Sequence, residues 1–229
     1  MFQQLKLTFL LILSMSFCLE SHAASDICTT CRCQNSETNI DCSSRQLTSI
    51  PQSIPPTVEH LNLSRNDIPE INEEAFQNLS SLKTLKLQYN DITKIKAGTF
   101  RNLLNLTTLE LYKNDINETE IGSFQNLPSL TNLNLGNNKI YEINTETFQN
   151  LSSLTDLELF NNNIKKIQAG TFQNLPTLTN LELYQNDINQ TEVGSFQNLP
   201  SLKTLKLHRN DITKIKAGTF RNLSSLTTL

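Results

Sequence analysis

Leucines alternate with polar residues over short stretches of this chain, and the alternation returns on a fixed step. In LTDLELFNNNIKKIQAGTFQNLPT, residues 154–177, the core around Leu157 and Leu159 has period two. That pattern predicts a short strand with its leucines turned inward and residues 158 and 160 turned out. The frame LxxLxLxxNxIxxIxxxxFxxLxx recurs every 24 residues. Its asparagine stands at Asn66, Asn90, Asn114, Asn138, Asn162, Asn186 and Asn210, and its phenylalanine at Phe76, Phe100, Phe124, Phe148, Phe172, Phe196 and Phe220. Seven copies cover residues 58–225, the first opening on Val58, and an eighth begins at Leu226.

A single strand cannot bury its own apolar face, so the copies must stack into a parallel sheet, and the period predicts an α/β repeat solenoid. After each strand the N-x-I segment turns the chain. A buried asparagine side chain there can hydrogen-bond backbone groups that otherwise lack partners. The phenylalanines fill the far side of the coil as a spine. The copies are close enough to read as duplications: residues 82–103 and 202–223 differ only where Gln88 and Tyr89 become His208 and Arg209.

The chain's start changes the picture. Lys6, an apolar run from Leu7 to Leu19 and the stretch ESHAA have the layout of a secretory leader ending at Ala23, with small Ser21 three positions from the cut. The run is too short to span a bilayer comfortably, and no second apolar run of about 20 residues follows. Cys18 would leave with the leader. The remaining cysteines, Cys28, Cys31, Cys33 and Cys42, sit together in CTTCRCQNSETNIDC. In an oxidising compartment they read as two disulfides with three pairings open, a zinc site being the rival. The net charge of -3 is spread along the chain, without the basic tract that nucleic acid or a membrane surface would call for.

The repeat, together with CTTCRCQNSETNIDCSSRQLTSIPQSIPPTVEHLNLSRNDI, resembles the extracellular leucine-rich repeat proteins of animals and their cysteine-rich N-terminal cap. Proteins of similar layout include variable lymphocyte receptors, Toll-like receptor ectodomains, Slit-type guidance proteins and small matrix proteoglycans. The resemblance implies a curved solenoid with the parallel sheet on its concave face and an irregular or 3-10 convex side. It also implies that Cys28 pairs with Cys33 and Cys31 with Cys42. The expected organisation is a leader over 1–23, a cap over 24–57 and the repeats over 58–229. The family's second cysteine-containing cap has no counterpart in these residues, so it is expected to be missing from this chain.

Packing dictates the frame, so candidate binding chemistry lies in the outward positions that vary. Between the strand leucines these are Lys86, Glu110, Asn134, Glu158, Glu182 and Lys206. The pair before the asparagine is Gln88–Tyr89, Tyr112–Lys113, Gly136–Asn137, Phe160–Asn161, Tyr184–Gln185 and His208–Arg209. Aromatic residues flanked by charges are the composition of a protein-binding surface, although strands favour aromatics anyway. Phe160 is a bare ring expected to face solvent, and Gly136 is expected to leave a gap beside it. Glu158 and Glu182 are expected on adjacent strands as an acidic contact patch near Lys206 rather than as an acid–base pair.

Elsewhere the reading is plainer. Asp67, Asp91, Asp115, Asp187 and Asp211 are expected to serve the turn. Lys94, Lys96 and Arg101, with Lys214, Lys216 and Arg221, make two basic spots, read as solvated faces with a sulfated glycan as the alternative. Sequons at Asn62, Asn78, Asn105, Asn117, Asn150, Asn189 and Asn222 are candidate N-glycosylation sites. In copies three and six Thr119 and Thr191 replace an isoleucine, with Ile121 and Val193 two places on, which predicts a local re-route. No convergent catalytic set, metal spacing or phosphate loop appears, so no enzyme activity and no cofactor is expected. The expected function is a secreted or cell-surface recognition module binding a protein or glycan on its concave face. An extracellular-matrix or adhesion component is the alternative, and membrane association is expected only through a missing C-terminal segment, if at all.

Overall fold

A computed structural model describes residues 27–229. The leader expected over residues 1–23, with Cys18, lies outside the described residues. The chain opens with a short helix, α1 (Ile27–Thr30), and an antiparallel hairpin of β1 (Arg32–Gln34) and β2 (Asn39–Asp41). Disulfides join Cys28 to Cys33 and Cys31 to Cys42, the pairing that the resemblance implies. The paired cysteines leave no thiolates for the rival zinc reading.

Each L-x-L core forms a strand at the expected place: β3 (His60–Asn62), β4 (Thr84–Lys86), β6 (Thr108–Glu110), β8 (Asn132–Asn134), β9 (Asp156–Glu158), β11 (Asn180–Glu182) and β13 (Thr204–Lys206). The intervening numbers belong to two-residue strands opposite this sheet: β5 (Lys94–Ile95), β7 (Glu118–Thr119), β10 (Lys166–Ile167) and β12 (Gln190–Thr191). The main sheet has nine strands in the order β1-β2-β3-β4-β6-β8-β9-β11-β13, parallel from β2 onward. Registers advance by a whole repeat, as in Leu157 opposite Leu181, so every central leucine stays on the buried face.

Three columns hold the stack together. The leucines and isoleucines form the core beneath the sheet. Opposite them the seven spine phenylalanines stack with centroids 5.6–6.2 Å apart and ring planes 11–19° from parallel. The asparagines do more than close their own turns. Asn162 donates to Leu159 O at 3.1 Å and to Leu135 O of the previous copy at 3.0 Å, while its Oδ1 accepts Ile140 N–H at 3.0 Å. The same bridge recurs from Asn90 to Asn210, so each amide ties one coil to the one before it.

Two of the aspartates after the ladder asparagine also reach across to neighbouring copies: Asp115 pairs with Lys139 at 2.8 Å, and Asp187 accepts from Asn163. One expectation about the turns changes: the path is not re-routed in copies three and six. Thr119 stands opposite Ile95 and Thr191 opposite Ile167 in unbroken register, and both threonines are buried. Ile121 and Val193 are left outside instead. Among the described residues no helix is long and apolar enough to cross a membrane.

Candidate functional site

The outward side chains of the main sheet form ordered columns, because a parallel register sets the same position of each copy side by side. The column between the leucines carries the charge. Glu158 and Glu182 are direct neighbours across β9 and β11, with Lys206 next in line on β13. Lys206 ion-pairs with Glu182, which also accepts from Asn180 at 3.3 Å, and this partnership raises the lysine's pKa. Glu110 is pushed up by burial, with Lys86 and the Asn134 amide opposing. The Glu158 carboxylate makes no hydrogen bond or ion pair among the described residues, although its backbone carbonyl accepts from Leu135 N–H at 2.8 Å. Burial, then repulsion from Glu182, Glu110 and Asp156, raises its carboxyl above the usual range.

The next column carries the rings, and it divides in two. Phe160, Tyr184 and His208 stack nearly parallel, with centroids 5.0 and 4.8 Å apart and planes within 3° and 5°. Phe160 is half-buried in this stack rather than facing solvent alone. Its ring also fills the space above Gly136: a Cβ on Gly136 would lie 2.5 Å from the Phe160 ring. The expected gap is therefore closed by a side chain of the protein itself. Glycine is needed there for close approach, with no unusual backbone angle involved.

Toward the N-terminal end, Tyr89 meets Tyr112 edge-on at 5.2 Å. The Arg65 guanidinium lies 4.6 Å from the Tyr89 ring centre and the Lys113 ammonium 4.9 Å, within cation–π range. A hydrogen bond with Tyr112 pulls the Tyr89 hydroxyl below the usual phenol range, while burial raises that of Tyr112.

The second residue of each pair does not continue the strand. Arg65, Tyr89, Lys113, Asn137, Asn161, Gln185 and Arg209 all have φ between 50° and 58°, so the chain turns there and these side chains stand at the rim of the sheet. Tyr89 and Arg209 are thus rim residues, whereas Lys86, Glu110, Tyr112, Glu158, Phe160, Glu182, Tyr184, Lys206 and His208 follow the columns of the sheet. Arg65, outside the expected set, holds the same position in the first copy's pair Ser64–Arg65. The unpaired state of Glu158 leaves no mark in the sequence.

The flank differs from the sheet. Lys94 is ion-paired with Glu118 at 3.2 Å and Glu120 at 2.8 Å, so the first basic spot is partly neutralised. Among the described residues no cluster of three or more His, Cys, Asp or Glu could hold a metal ion.

An open parallel sheet lined with stacked rings and charges, on a rigid repeat scaffold, is the architecture of a recognition module. The leucine rich repeat profile matches residues 38–92, 80–140, 128–188 and 176–229, and the chain belongs to the leucine-rich repeat family. It is similar to immunoglobulin superfamily member 10 of Homo sapiens, 38% identical over 80 residues that make up 34% of this chain and 3% of that protein. It is 36% identical over 89 residues to leucine-rich repeat-containing G-protein coupled receptor 6 of Danio rerio, covering 35% of this chain and 9% of the receptor. Its fold matches a chain in the crystal structure of the TLR13-ssRNA13 complex with a TM-score of 0.57 and 28% identity, over 74% of this chain and 28% of that one. The matched segments are thus a small part of each of these proteins. Leucine-rich repeats of this kind are typically interaction modules rather than enzymes.

Proposed function

We propose that this chain is an extracellular recognition module that binds a protein on its concave sheet, centred on the rings of copies five to seven. The observation that carries the reading is the Phe160–Tyr184–His208 stack: rigid aromatic surface, part-exposed, beside the unpaired carboxylate of Glu158. Aromatic anchors next to complementary charge are the usual source of binding energy at protein interfaces. The protein whose fold matches is in complex with single-stranded RNA, but Glu110, Glu158 and Glu182 here form an acidic row that would repel phosphates. The disulfide-closed N-terminal end favours an oxidising, extracellular setting.

The test is partner capture on an array of secreted and cell-surface proteins, comparing the chain with a Tyr112→Ala, Phe160→Ala, Tyr184→Ala variant. The variant keeps its far-ultraviolet circular dichroism and loses binding by 100-fold or more, about the loss expected when hot-spot anchors are truncated. Binding that survives this triple change but fails when Lys94 and Arg101 are altered would place the site on the flank instead.

A further inference from the structure

Copies three and six contain a mismatch between packing and composition. Five residues after the ladder asparagine the other copies place Ile71, Ile95, Ile143, Ile167 and Ile215, but these two place Thr119 and Thr191. Both threonines keep the isoleucine register and are buried, and the Thr191 hydroxyl has no hydrogen-bond partner. A valine would fill that place without stranding a polar atom. The Thr147 hydroxyl is orphaned too, but its column holds Thr99, Ser123, Thr171, Ser195 and Thr219 in other copies, so that hydroxyl belongs to the repeat frame. The hydroxyls of Thr119 and Thr191 break the frame.

What these hydroxyls supply lies outside the fold. They complete Asn117-Glu118-Thr119 and Asn189-Gln190-Thr191, acceptor triplets for N-linked glycan, and both asparagines are exposed just before their short strands. Two residues beyond each threonine stands an aliphatic side chain left open to solvent, Ile121 at 53% and Val193 at 56% exposure. Asn117, Ile121 and Tyr141 line one hollow of about 490 Å³, in which Tyr141 is 54% exposed. An aromatic ring and a branched aliphatic offer the apolar ground on which the C–H faces of a sugar can pack.

We propose that Asn117 and Asn189 carry N-linked glycans, and that the glycan on Asn117 lies over Ile121 and Tyr141, covering this flank and leaving the concave sheet as the open protein-binding face. This rests on the extracellular placement proposed above. Copy seven has Thr213 where copy four has Tyr141, so Asn189 lacks an equivalent ring and serves as an internal control.

The full chain is expressed in cultured animal cells, once as it stands and once behind an established secretory leader. Glycopeptide mass spectrometry on the second sample is expected to find both asparagines modified in nearly all molecules. Thr191→Val is expected to lose the Asn189 glycan alone, and the same variant made without glycans in bacteria is expected to melt above its parent. Nitration of Tyr141 is expected to run several-fold slower in the glycosylated chain than in Asn117→Gln. Unmodified Asn117 or Asn189 overturns the assignment, and equal nitration overturns the covering of Tyr141. Failure of the unaltered chain to reach the medium strikes the extracellular placement, whatever the leader-driven sample reports.

Discussion

Glu158 shows how much of the candidate site is set by one side chain's neighbours. Strand register brings Glu182 beside it, but Lys206 is committed to Glu182, so Glu158 keeps its charge without a partner. Its raised pKa means that the folded state holds the proton more tightly than the unfolded chain. Stability from this group is therefore greatest in acid and falls as pH rises from the ordinary glutamate value toward the raised one. Glu158→Gln removes the penalty while keeping the shape. The variant is expected to be more stable than the parent in urea unfolding near neutral pH, by less than about 1 kcal/mol given solvent screening at this half-open position. The advantage is expected to vanish below about pH 4, where the unfolded glutamate is itself protonated. An advantage unchanged by acid would mean that packing, not charge, is the cause. A carboxylate held in this way is also one that a lysine or arginine from a partner would relieve.

At the scale of the element, the asparagine ladder is what turns a short strand into a stackable unit. Asn162→Ala strands the N–H of Ile140 and takes one of two donors from the carbonyls of Leu135 and Leu159, which keep Asn138 and Asn186. An unsatisfied buried group costs about 1–3 kcal/mol, so a loss of about 2 kcal/mol in urea unfolding is expected. A loss below about 1 kcal/mol would show that the turn holds without the bridge. These elements were the most legible part of the chain, since the recurring leucines, asparagines and phenylalanines each mark a column whose packing follows from the 24-residue step. Less legible were features that depend on how side chains of different copies meet. Nothing local in Gly136 announces that Phe160, 24 residues on, will lean over it. The left-handed turn at Tyr89 and Arg209 was also hidden, because their side chains vary while the constraint is on the backbone. Thr119 misled for the opposite reason. A polar residue at an apolar position pointed to a changed path, yet neighbouring strands hold the register more strongly than one side chain can alter it.

Over the described residues the fold is a one-dimensional stack, covered more fully in its first copies than in copy seven. At the N-terminal end, β2 covers the edge of β3 and two disulfides tie the hairpin and α1 together. In copy six Leu183, Ile188, Phe196 and Leu199 are fully buried, but the matching Leu207, Ile212, Phe220 and Leu223 of copy seven are only partly covered. Ile215 is 55% exposed, and beyond β13 the sheet is continued only by a single bridge to Thr228. In a repeat stack each unit draws stability from its neighbours, so opening is expected to begin where one neighbour's worth of burial is absent and to spread inward. Native-state hydrogen exchange on this 229-residue chain tests the gradient. The Leu205 amide, bonded to Thr228 O at 2.9 Å, is expected to exchange fastest among the central strand leucines, and Leu133 and Leu157 slowest. Reducing the disulfides is expected to add a second fast region at β1 and β2 without moving the first. If Leu205 instead exchanges as slowly as Leu157, the stack opens as one cooperative body, and the Phe160–Tyr184–His208 surface is then as firmly held at its last ring as at its first.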